Sequence, residues 1–183
     1  MPPWIERVVQ KVAPLANWED LRLADEARAT LRRIADDMQE RIDDARGKNG
    51  SKSKGKPRAG VVALFNGPQG PHKITAAEVL AKELKMNLFR VDLSLVVSDS
   101  LEETERIMKR IIDGAEEAGG VLFFDEVDKT FARHDGADVD LGIGYLVKRA
   151  GRYEDLAILA VTDKDQMDLV HLRKLRSVVD FSG

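Results

Sequence analysis

From residue 60 onward the chain alternates between short apolar runs and longer amphipathic stretches, and this alternation limits the fold more than any other feature. Val61 to Phe65 is short and apolar enough to be a buried strand. Ile74 to Leu84 reads as a helix, with Ala77, Leu80, Ala81 and Leu84 on one face. Leu88 to Leu93 is a second strand. Ser100 then opens a helix with Glu103 three residues on, a capping-box pattern, and a stripe of Leu101, Ile107, Met108, Ile111 and Ala115 follows. Val121 to Phe124 is a strand, Gly142 to Ala150 a helix, and Leu156 to Val161 and Val178 to Phe181 two further strands. Strands alternating with helices imply an α/β fold, a five-stranded, mostly parallel sheet covered on both faces. Ligands of such sheets sit at the carboxyl ends of the strands.

The first 59 residues are of another kind. Trp4, Ile5, Val8, Val9 and Val12 fall on one side of a short helix over 4–13, with Pro3 in its first turn and Pro14 at its end. This apolar stripe is exposed if the helix stands clear of the core, which would make it a contact surface. A second helix over about 23–45 carries Ala27, Leu31, Ile34, Met38 and Ile42 on one face and charge on the other. Residues 1–45 therefore form an N-terminal helical segment that either packs on the core or meets a partner. Residues 46–59 hold Arg46, Lys48, Lys52, Lys54, Lys56 and Arg58 among Gly, Ser, Asn and Pro, with no acid. They read as a flexible linker or loop by composition, or as a basic arm that touches phosphates. Residues 60–183 form the core.

The chemistry concentrates in two places. After the first core strand comes Gly67-Pro68-Gln69-Gly70-Pro71-His72-Lys73-Ile74-Thr75. A phosphate-cradling loop has the pattern G-x-x-x-x-G-K-[ST] between a strand and a helix. Its glycines let backbone N–H groups wrap the phosphates, its lysine meets the β and γ oxygens, and its hydroxyl ligates Mg²⁺. Gly67, Gly70 and Lys73 hold their places, but His72 stands for the second motif glycine and Ile74 for the Ser/Thr. Pro71 has no N–H to offer. His72 is either a drifted glycine position or an imidazole that partly replaces the lost donors. The second place is Val121-Leu122-Phe123-Phe124-Asp125-Glu126, an apolar strand emptying into two carboxylates. This is the Walker B arrangement, in which the Asp holds Mg²⁺ and the Glu orients or deprotonates the attacking water.

From about residue 17 to the end the chain resembles an AAA+ ATPase, a P-loop NTPase three-layer sandwich. It is particularly similar to the ATPases encoded with phage-tail-like contractile injection systems. The resemblance rests on Trp18-Glu19-Asp20-Leu21, Thr75 to Ala81, Phe89 to Ser94, Glu103-Thr104-Glu105, Val121 to Asp128, Ala157 to Ala160 and Leu172 to Arg176. It implies the strand order 5-1-4-3-2, ATP or ADP with Mg²⁺ as cofactors, and a site built from Gly67, Pro68, Gly70, His72, Lys73 and Ile74. Asp125 matches the Mg²⁺ carboxylate and Glu126 the catalytic glutamate. Arg173 and Arg176 match the arginines that reach a neighbour's γ-phosphate, or are surface charge beside a strand. Asp163 stands where the family's sensor Asn orients water. Ser100, Leu101 and Glu102 stand where an aromatic pore loop grips substrate. The small helical lid that follows the fifth strand in the family is not expected in this sequence.

The altered positions set the functional expectation. A lost hydrogen bond to a charged group costs roughly 1.5–3 kcal/mol. Pro71, His72 and Ile74 together forfeit on the order of 3–6 kcal/mol, a hundredfold to ten-thousandfold in affinity or rate. The leading expectation is a degenerate ATPase domain with nucleotide binding weak or lost, serving as a structural or assembly component. A working remodelling ATPase, and a regulatory subunit that lends arginines to an active neighbour, are the alternatives. Partners are expected to be protein chains, by self-association or in a phage-tail-like assembly. A net charge of -3 gives no general attraction for nucleic acid or anionic lipid. No apolar run approaches the roughly 20 residues of a membrane span, and no secretory leader is apparent at the start. With no cysteine the chain has neither disulfide nor thiolate zinc site, which fits a cytoplasmic protein.

Overall fold

The computed structural model describes residues 3, 5–47, 60–132, 138–175 and 177–181, with the backbone alone for 138–141. The chain begins with α1 (Ile5–Val8), β1 (Val9–Val12), a 3-10 turn over Trp18–Asp20 and α2 (Asp25–Ala45). The core then runs β2 (Val61–Asn66), α3 (His72–Leu84), β3 (Leu88–Val91), α4 (Leu101–Ala118) and β4 (Val121–Phe124). It finishes with α5 (Val127–Ala132), α6 (Asp138–Ala150), β5 (Leu156–Val161), α7 (Leu169–Leu172) and β6 (Ser177–Asp180). Most of the linker expected over 46–59, and Trp4, lie outside the described residues.

The strands form one six-stranded sheet in the order β1-β3-β4-β5-β2-β6. Its five core strands, β3 to β6 with β2, are parallel and follow the expected 5-1-4-3-2 order. The sixth corrects the reading of residues 4–13 as one helix, and of the sheet as five-stranded. β1 pairs antiparallel with β3, Val9 opposite Val91 and Val12 opposite Leu88. Without it, β3 would present an open edge of N–H and C=O groups, and pairing satisfies them. β-branched Val9 and Val12 suit that role. The same pairing buries Ile5, Val8 and Val9, at 2%, 9% and 6% exposure, so this stripe is core and not a contact surface.

Each inner strand is buried on both faces, as βα units require. Along β4, Leu122 and Phe124 join one core with Val91, Met108, Ile111 and Leu146. Val121 and Phe123 join the other with Leu31, Met38, Phe65, Leu80 and Ile158. α2 thus packs on the sheet through the stripe expected of it, with Ala27, Leu31, Ile34, Met38 and Ile42 buried. Arg28 secures the turn before α2 by donating to Trp18 O at 3.1 Å and Leu21 O at 2.6 Å, and the Arg32 guanidinium lies 4.2 Å over the Trp18 ring. α4 starts as anticipated: the Ser100 hydroxyl accepts from the Glu103 N–H at 3.3 Å. Leu101 and Glu102 thereby become its first turn.

Candidate functional site

The carboxyl ends of β2, β5 and β4 bring the predicted groups together. The loop leaves β2 through Gly67, whose φ of 154° lies in the region that favours glycine. A Cβ there would stand 2.8 Å from the Cβ of Phe181. The Gly67 N–H donates to Val161 O at 3.1 Å, which ties the loop to the end of β5. Gly70, with φ 151°, makes the second bend. Pro71 caps α3, so His72, Lys73 and Ile74 form its first turn. Their N–H groups sit at the positive end of the helix dipole, where an anion is favoured.

Lys73 is 5% exposed and turns back into the protein. Its Nζ donates to Gly67 O at 2.7 Å and Val161 O at 2.9 Å. Burial pushes the ammonium below the ordinary lysine range, against the raising effect of Asp125, Asp128 and Glu126 nearby. Lysine and acids therefore share one electrostatic site, as the motifs predict.

The acids are committed as well. Asp125 follows β4; its Oδ2 accepts from Arg90 Nη2 at 2.6 Å and its Oδ1 from the Glu126 N–H at 2.9 Å. Glu126 has φ 49°, a left-handed conformation unusual for a residue with a side chain. Its Oε1 accepts from Gln69 Nε2, which spans from the loop to the acid. Asp128 on α5 is 9% exposed and accepts from Thr162 N at 3.1 Å and Asp163 N at 3.0 Å. It therefore fixes the segment after β5. The Asp163 carboxylate accepts from Asp165 N at 3.0 Å and caps its own 3-10 turn. The neighbouring Thr162 hydroxyl is buried without a hydrogen-bond partner. Arg173 is exposed at the end of α7, and Arg176 lies outside the described residues.

Five contributors escaped the sequence reading: Gln69, Arg90, Asp128, Thr162 and Asn66, whose Oδ1 accepts from Lys164 N at 2.7 Å. Arg90 had a signal, a lone base inside the strand Leu-Phe-Arg-Val. It pairs in register with Phe123, close to the acidic end of β4. The first-turn amides of α3 and Lys73 fit a phosphate group. The donor set does not fit Mg²⁺, which wants near-octahedral oxygen ligands. Ile74 has no hydroxyl, and the Thr75 hydroxyl donates to Pro71 O at 2.7 Å. Both Asp125 oxygens are engaged. Among the described residues no group of three or more His, Cys, Asp or Glu side chains converges as metal ligands.

A parallel sheet of this order, with a glycine-bounded loop feeding a lysine-bearing helix and acids ending the strand two places away, defines a P-loop nucleotide-binding fold. The family described as "ATPase family associated with various cellular activities (AAA)" matches residues 63–179, and the chain belongs to it. An uncharacterized AAA family ATPase of Sinorhizobium fredii, y4kL, is 43% identical over 65 residues, which is 36% of this chain and 20% of that protein. Among solved structures, the FIGL-1 AAA domain in complex with ADP superposes with a TM-score of 0.66 at 16% identity, covering 97% of this chain and 59% of that one. A katanin structure, determined in work on katanin self-assembly, gives 0.64 at 14% identity, covering 98% and 58%. The chain thus spans under three fifths of these structures, and at such identities they speak for the fold alone. Among the described residues no helix is long and apolar enough to cross a membrane.

Proposed function

We propose that this chain is an AAA domain with impaired nucleotide binding and hydrolysis that acts through contacts with other protein chains. One observation carries the reading: the groups that would serve ATP are already engaged by the protein itself. Lys73 is held by two carbonyls, Asp125 by Arg90 and Glu126 by Gln69. ATP has to break these contacts, and Pro71 has no amide and Ile74 no hydroxyl to offer in return. Each charge-assisted bond exchanged without gain costs roughly 1.5–3 kcal/mol, so the expected losses add to those of the altered loop. The contact surface we favour is α7, where Leu169 and Val170 are 65% and 57% exposed beside exposed Arg173. Self-association there, as the katanin neighbour suggests for its own fold, or a place in a contractile injection assembly, both suit such a surface.

The second reading is a working ATPase. It is favoured by the retained Lys73, Asp125 and Glu126, and by the ADP complex of the structurally similar FIGL-1 domain. Steady-state hydrolysis of Mg-ATP, with Glu126→Gln as control, separates the two. The proposal expects no turnover above that control. Turnover near 1 s⁻¹, abolished by Glu126→Gln, lies in the ordinary enzyme range and supports the second reading.

A further inference from the structure

We infer that nucleotide binding by this chain is independent of Mg²⁺, because Arg90 removes Asp125 from metal coordination. The inference rests on the reading above that nucleotide binding is impaired, and concerns the residual affinity of the phosphate loop.

A P-loop metal is held by a hydroxyl from the first turn of the helix, by the carboxylate at the end of the acid-bearing strand, and by the phosphates. Here the hydroxyl position is Ile74. Thr75 is no substitute: one residue on, it lies about 100° further around α3, and its hydroxyl is spent on Pro71 O. The carboxylate position is Asp125, with Oδ2 against the guanidinium at 2.6 Å and Oδ1 against a main-chain amide. A metal ion would have to displace a fixed cation, not a water.

Arg90 is not a residue that swings in from a loop. It is anchored in β3 between β1 and β4, with Gln10 and Phe123 as its register partners. Its side chain is 44% exposed and lies along a cleft of about 540 Å³ that Arg7, Asp92, Ser94, Asp125 and Glu126 also line. The pair is screened, but Arg90's backbone is fixed in β3 and Asp125 follows directly on β4.

Among the described residues, the other acids beside this cleft and the loop already accept hydrogen bonds within the protein. Asp92 accepts from the Ser94 N–H and hydroxyl, Glu126 from Gln69, Asp128 from two amides, and Asp163 from the Asp165 N–H. The surviving phosphate-directed groups, Lys73 and the first turn of α3, recognise anionic charge alone. Free ADP carries more of that charge than its Mg²⁺ complex, so the metal brings no gain.

The test is calorimetric titration of ADP in excess Mg²⁺ and in EDTA, on the wild type, Ile74→Thr, and Ile74→Thr/Arg90→Ala. Arg90→Gln serves in place of Arg90→Ala if the latter does not fold by circular dichroism. The inference expects less than about a threefold metal effect for the wild type and for Ile74→Thr. The double variant, with a hydroxyl present and Asp125 released, should bind at least tenfold tighter with Mg²⁺ (about 1.4 kcal/mol). A wild type tightened tenfold by Mg²⁺ overturns it. So does an Ile74→Thr protein with the same metal effect as the double variant, or a double variant with none. If the wild type binds too weakly to measure, the two variants still decide. A metal effect on wild-type binding without turnover refutes this inference alone, whereas Glu126-dependent turnover refutes the proposed function.

Discussion

The two halves of the strand-end site have changed in opposite ways. The loop half, Gly67 to Ile74, has kept its shape and lost part of its chemistry. The Gly67 and Gly70 bends and the buried Lys73 are in place, but an amide and a hydroxyl are gone through Pro71 and Ile74. The acid half, Asp125 to Asp128, keeps its chemistry but turns it toward the protein's own donors. Every carboxylate is present, and every one is bonded to the protein. A motif read as letters scores the first half as damaged and the second as intact. On the proposed reading both hinder nucleotide, one by missing groups and the other by committed ones.

That contrast can be attacked from either side. The largest expected effect on stability belongs to Asp128→Ala. Its carboxylate satisfies two part-buried amides from 34 and 35 residues away. Losing it should cost roughly 2–4 kcal/mol, and several degrees of thermal midpoint for a chain of this length, read by calorimetry. A cost under about 0.5 kcal/mol would mean that the acid half is not held as described. Next is Gly67→Ala, which meets both the positive φ and the 2.8 Å approach of Phe181. We expect roughly 1–3 kcal/mol by urea denaturation; a neutral result would show that the loop does not depend on this bend.

A smaller effect should appear in the pH dependence of Lys73. Its folded pKa lies below the unfolded 10.5, so the folded state loses the proton first as pH rises. Stability gains from this group as pH climbs toward 10.5, and the penalty for burying the charge is fully present well below that window. The stability of the wild type relative to Lys73→Met should therefore rise as pH climbs toward 10.5. A flat or falling difference would contradict the burial argument. Smallest of all is Arg90→Ala. Its pair with Asp125 is partly solvent-screened, so unfolding free energy should shift by under about 1 kcal/mol. A loss of several kcal/mol would make Arg90 a structural strut and not an occupant of the site.

The core of the fold was readable because its signals are local. Apolar runs such as Val61 to Phe65 and periodic stripes such as Leu31, Ile34 and Met38 declare strand or helix without knowledge of their neighbours. The segment from Ile5 to Val12 misled for the same reason. Its apolar spacing suits a helix, and only the open edge of β3, far along the chain, turns half of it into a strand. The candidate site divides in the same manner. Gly67, Lys73, Asp125 and Glu126 are legible as motifs. Arg90 and Gln69 act on residues 35 and 57 positions away, brought within reach only once the sheet is assembled.

On the proposed reading, missing and committed groups impair nucleotide binding at this site in an otherwise intact fold. Calorimetric ADP affinity of the wild type beside the repaired loop Pro71→Thr/His72→Gly/Ile74→Thr tests it most directly. We expect weak or undetectable binding by the wild type and a gain of at least about a hundredfold on repair, the lower end of the estimated loss. Low-micromolar binding by the wild type, within threefold of the repaired protein, would contradict it.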